Sequence, residues 1–138
     1  MKTTLFIILL LFFTHSSAES LEIFGTKLEL NSECKLITSK LNNQAKVIDL
    51  KLPPSPNCTF IKHSKTNIPH IERVNNFYVV LIESTEIIDN NCISTYTGIA
   101  IQPNGNVYAS NVKKTSGTCN IGREEKVFKY FANKFKFD

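Results

Sequence analysis

The chain has 138 residues, 16 basic against 12 acidic side chains, four cysteines and no tryptophan. That length holds one domain. A formal charge of +4 without a clustered basic face excludes a nucleic-acid footprint.

Residues 1–18 carry the three parts of a secretory signal peptide: Lys2 as the positive region, an unbroken apolar run from Leu5 to Phe13, and Ser16-Ser17-Ala18 as a small-residue cleavage site. The nine apolar residues are too few to cross a bilayer, so they are expected to form a short helix that is removed, leaving no permanent membrane anchor. The mature protein, residues 19–138, is expected to be one periplasmic or secreted domain with a formal charge of +3 once Lys2 is gone.

In the mature chain, Leu28 and Leu30 alternate with charged residues, the pattern of a half-buried strand. Ser32 to Leu41 fits two patterns. Cys34, Ile37 and Leu41 share a helical face, yet the same residues suit a strand, and the choice stays open. Asn42-Asn43-Gln44 makes a turn, and Ala45 to Leu52 reads as a strand with Ile48, Leu50 and Leu52 on one face. Pro53, Pro54 and Pro56 then fix a rigid, extended loop that cannot lie inside a sheet. Lys62 to Asn76 is polar and mostly loop.

The organising stretch is Phe77 to Val112. Phe77-Tyr-Val-Val-Leu-Ile82 is apolar at six consecutive positions, which predicts a strand covered on both faces. A polar turn follows, then a strand from Cys92 to Ile101, the turn Pro103-Asn104-Gly105-Asn106, and a strand from Val107 to Val112. Asn-Gly between β-branched runs is a hairpin signal. Lys113 to Gly122 reads as a polar connection. From Arg123 to Phe135 the residues Val127, Phe131 and Phe135, with Phe128 beside them, form the apolar stripe of a helix. The predicted fold is α+β: a small antiparallel sheet, the meander 77–112, covered by the C-terminal helix and held by two disulfides.

An even cysteine count in an exported chain reads as a disulfide framework. Of the three connectivities, Cys34–Cys58 with Cys92–Cys119 is preferred because each bond closes one half of the chain. Rings of this length contribute about 3.5 kcal/mol each in chain-entropy terms. The spacing contains no Cys-x-x-Cys, so neither a redox motif nor a zinc knuckle is indicated.

The chemistry-bearing residues are sparse. His63, His70 and Glu72 match no metal motif, and two histidines in a polar loop read as solvated. The chain holds no Gly-x-Ser-x-Gly elbow and no Gly-rich phosphate loop. No catalytic residue, metal or cofactor is therefore assigned. Asn57-Cys58-Thr59 matches the glycosylation acceptor pattern, which carries meaning only in a eukaryotic source, and a bacterial one is the expectation. Tyr96 and Tyr108 are expected in the core beneath the helix. A rigid, disulfide-anchored proline loop loses little entropy on docking, so Pro53, Pro54 and Pro56, with Asn104 and Gly105, form the candidate surface for a protein partner. The leading expectation is a non-enzymatic binding protein, an inhibitor or immunity protein against a cell-wall hydrolase. Two alternatives stand beside it: a small secreted enzyme or effector using His63 and His70, and an envelope ligand-binding domain.

Overall fold

The structure, a computed structural model, describes residues 19–40, 44–54 and 57–137. The expected helix over residues 5–13, the turn residues 42 and 43, and Pro56 lie outside them.

The described residues form two antiparallel sheets and one C-terminal helix. The first sheet is the meander β1 (Ser20–Ile23), β2 (Thr26–Leu30), β3 (Lys35–Lys40) and β4 (Lys46–Asp49). The second is built on β7 (Phe77–Ile88) and β8 (Asn91–Ile101), paired rung by rung from Tyr78↔Ile101 to Ile88↔Asn91. On its outer edges lie β9 (Val107–Ser116) against β8, and the short β5 (Thr59–Phe60) and β6 (Glu72–Val74) against β7. The helix α1 spans Glu125–Ala132.

β7 explains the layering. Its side chains alternate, so Val80 and Ile82 pack with Leu28, Leu30 and Leu36 of the first sheet. Phe77, Val79 and Leu81 point the other way and pack with Phe128 and Phe131 of α1. The continuous apolar run thus has both faces covered, as the sequence pattern predicts. Tyr96 is buried in the helix-side cluster and Tyr108 packs at its margin.

The N-terminal half departs most from expectation. It supplies a whole second sheet, so the fold is sheet-dominated, with the helix on one face only. Residues 35–40, open between helix and strand, form β3 because Leu36 and Thr38 alternate inward while Ile37 faces outward. Asn31 breaks any helical start there. Its Oδ1 accepts the N–H groups of Glu33 and Lys35 at 3.0 and 2.9 Å, and Cys34 sits at φ 60° in the resulting turn.

Three boundaries also move. The polar stretch after Ser84 is not a long turn. β7 continues to Ile88, and the reversal is the two-residue turn Asp89-Asn90, both residues at positive φ (50° and 64°). β9 runs on to Ser116, so Lys113 and Lys114 belong to a strand. The helix is shorter than residues 123–135. It stops at Ala132, while Phe135 packs past its end, 6.2 Å from Phe77 between ring centroids. In its first turn the Glu125 carboxyl is held below the usual carboxylate range by a hydrogen bond from Lys129, 2.8 Å away and one turn on.

Two disulfides close the framework, Cys34–Cys58 and Cys92–Cys119, and no cysteine is free. The first ties the β2–β3 turn to the start of β5, joining one sheet to the other. The second ties β8 to the segment leading into α1.

Gly98 sets the distance between sheet and helix. It lies opposite Leu81 on the helix-facing side, and a Cβ there would sit 2.8 Å from Cβ and Cγ of Phe131. Gly98→Ala is expected to cost about 1–3 kcal/mol through overpacking, measured by urea unfolding. The cost should shrink, without vanishing, when Phe131→Ala is introduced alongside it, since that change removes Cγ and the ring and leaves Cβ.

Candidate functional site

Of the five residues proposed from sequence as a partner surface, the four that are described do not come together. Ser84 of β7 donates its hydroxyl to the Pro53 carbonyl at 2.5 Å, which fixes the proline loop at the far end of β7. Gly105 lies at the other end, beside the Tyr78↔Ile101 rung, where its carbonyl accepts the Thr26 hydroxyl at 2.9 Å. Six residues of strand separate Tyr78 from Ser84, about 20 Å. One compact contact surface therefore cannot hold both groups.

The Asn104-Gly105 turn itself has a different role from the one expected. Asn104 is exposed, but Gly105 is buried. The hairpin is closed by a turn from Gln102 to Gly105, with the Gly105 N–H donating to the Gln102 carbonyl at 2.8 Å. Gly105 alone then takes positive φ, +83°. A Cβ there would meet Thr26 Oγ1 at 2.6 Å and Lys40 Cε at 3.1 Å, so both conformation and space require glycine. This turn locks the second sheet onto the first.

At the proline end the structure adds residues that the sequence reading missed. The β7–β8 hairpin overhangs its neighbours, since β9 pairs with β8 only as far as Ser94↔Ser116. Ile87 and Ile88 stand on the overhang, 71% and 50% exposed. Ile88 projects from the same side of β7 as Ser84, and hence toward the proline loop. Ile87 lies opposite Cys92, whose bond to Cys119 braces the other side. Pro53 is half-buried and Pro54 exposed. A broad, shallow groove of about 740 Å³ runs beside them, walled by Glu33, Lys35, Asp49 and Lys51. The missed signal was an isoleucine pair directly before Asp-Asn, a residue pair that tolerates the left-handed conformation.

The histidines also differ from expectation, for they are brought together. The bridge Lys62↔Pro69 and the hydrogen bond from His63 N–H to the Ile68 carbonyl (2.8 Å) fold residues 62–70 back on themselves. The His63 and His70 ring centroids lie 4.8 Å apart. His70 also packs on Phe128 at 4.3 Å, and its Nε2 is 2.9 Å from Glu72 Oε1. Next to His63 is a cavity of about 190 Å³ with Glu83 among its lining residues. Glu83 is 2% exposed and accepts the Ser94 hydroxyl at 2.6 Å. A histidine oriented by a carboxylate beside a second histidine is an arrangement suited to proton transfer. His70, however, is committed to Glu72 and covered by Phe128. No group of three His, Cys, Asp or Glu side chains is placed to hold a metal among the described residues.

Compared with family models, with characterised proteins and with solved structures, the chain has no match in any of the three.

The locking role of Gly105 is directly measurable. Gly105→Ala should cost about 1–3 kcal/mol, the scale of a strained backbone position. In hydrogen exchange the loss should appear first at the Gly105 and Asn106 amides. Unchanged stability and exchange would show that the turn is not lodged against Thr26.

Proposed function

We propose that the domain is a non-enzymatic binding protein of the periplasm or the secreted space. In this reading it docks another protein through its proline-loop end, with the β7–β8 hairpin as the inserting element. The observation that carries the reading is the exposure of Ile87 and Ile88, 71% and 50%, on a strand that is elsewhere buried. Two large β-branched side chains on a rigid two-residue turn lose little conformational freedom when they enter a slot. Apolar anchors of this kind dominate interface energies. The two disulfides fit an oxidising compartment.

Charge narrows the partner. Glu86 and Asp89 flank the isoleucines, and no ion pair engages either of them among the described residues. A cleft with an apolar floor and a basic rim is their complement. A hydrolase that works on an anionic cell-wall polymer presents such a rim, which supports the inhibitor or immunity-protein form. The second reading, an enzyme using His63 and His70, draws support from their 4.8 Å pairing and the Glu72 contact.

One pair of variants separates the two readings. Ile87→Ser with Ile88→Ser should leave stability within about 0.5 kcal/mol, as exposed substitutions do. The same pair should weaken binding to a purified cell-wall hydrolase, and its inhibition, by about 2 kcal/mol or more. Pro54→Gly should weaken binding by about 0.4–1 kcal/mol, and His63→Ala with His70→Ala should leave binding and inhibition intact. Binding and inhibition untouched by the isoleucine changes, but lost with the histidines, would transfer the function to the histidine pair.

A further inference from the structure

At the end of the sandwich away from the proline loop, the inner face of the first sheet changes character. Along β3 the inward positions run Leu36, Thr38, Lys40, from apolar to cationic. The register Thr38↔Lys46 and Leu36↔Ile48 puts Lys46 and Ile48 of β4 on that same face. Facing them across a cleft of about 270 Å³ are Gly105, Asn106 and Val107 of the opposite sheet.

The cleft is rich in donors. Lys40 Nζ donates to Asn106 Oδ1 at 2.6 Å, which holds the ammonium at the wall. Lys46 has no ion pair among the described residues. Thr38 is only 7% exposed, lines the cleft, and has no side-chain hydrogen-bond partner among the described residues. Among the described residues no Asp or Glu lines the space. Arg123 Nε is the one fully buried side-chain nitrogen or oxygen left unpartnered among the described residues, so the Thr38 hydroxyl opens into the cleft, and cations of one sign in a cleft concentrate a positive potential. A sandwich end that only needed closing would be served better by another leucine and valine at these two positions.

We propose that this cleft binds a small anionic ligand through a carboxylate or phosphate group. Thr38, Lys40 and Lys46 hold the charged group, and a short apolar portion lies on Ile48 and Val107. The volume falls just under the usual range for small-molecule sites, about 300–1,000 Å³, so the ligand is compact. The site is independent of the docking end, and either can stand without the other.

The test is a titration of the full domain, followed by backbone amide NMR at constant ionic strength, with inorganic phosphate and with butyrate as separate probes and chloride as the reference. Saturable shifts centred on Thr38, Lys40, Lys46 and Asn106, with a Kd of about 1 mM or tighter for one probe, are the expected result. The tighter probe identifies the anionic group. Lys46→Met should weaken binding at least about tenfold, the loss of one charge-assisted contact, while Lys46→Arg keeps it and Lys65→Met, in a distant exposed loop, leaves it unchanged. Thr38→Val should weaken binding and leave the melting temperature nearly unchanged, because the hydroxyl it removes opens into the cleft. Shifts spread over the surface lysines, no saturation with either probe, or unaltered affinity in Lys46→Met would overturn the proposal. So would a folded Thr38→Val variant that keeps full affinity.

Discussion

Every layer of this molecule depends on one strand being buried on both sides. From Phe77 to Glu83 the backbone of β7 presents apolar side chains alternately to the first sheet and to the helix, and Val79, Leu81 and Ile82 are completely covered. A strand of this kind cannot sit at an edge or face water. Paired with β8 on one side and with β5 and β6 on the other, it requires two separate covers. The N-terminal meander supplies one and α1 the other. Neither cover is large, so each is fastened: the meander through Cys34–Cys58 and the Thr26–Gly105 hydrogen bond, the helix through the seat that Gly98 opens for Phe131.

The sequence made the centre of this arrangement legible and left its periphery hidden, for physical reasons that differ from place to place. Six apolar residues in a row announced β7, and the four-residue recurrence of aromatics announced α1, because both signals come from burial and burial follows periodicity. The first sheet was harder. Only one face of each of its strands is covered, and polar residues enter that face at Thr26, Thr38 and Lys40, blurring the alternation. Cys34 added a false helical match, since it belongs to a turn and not to the strand beside it. Asn104-Gly105 reverses the chain between β8 and β9 as its sequence predicts and is an interlocking contact as well, while the tight reversal at Asp89-Asn90 was hidden in what looked like a longer polar turn.

The candidate sites were less legible than the fold, because they arise from pieces distant in sequence. Proline rigidity at Pro53 and Pro54 was visible, but Ile88, on the same side of β7 as the Ser84 that holds Pro53, is more than thirty positions away. The approach of His63 to His70 rests on a fold-back of the intervening loop, which composition alone does not reveal. Glu83 went unremarked because a lone carboxylate at the end of an apolar run reads as the point where burial stops. It is instead buried and bonded to Ser94. The two ends of the sandwich thereby differ in chemistry, one apolar with acidic flanks and the other cationic.

The Cys34–Cys58 bond has a topological consequence. It encloses residues 35–57, and therefore β3, β4 and the whole proline stretch, in one covalent ring. A single peptide bond broken anywhere inside that ring would yield two chain ends but no second molecule. β3 would stay tethered through Cys34, and the chain beyond Cys58 through the same sulfur bridge. The exposed part of the ring can thus be nicked without detaching either sheet, and a cut there would be resealable, since the new ends remain held near each other.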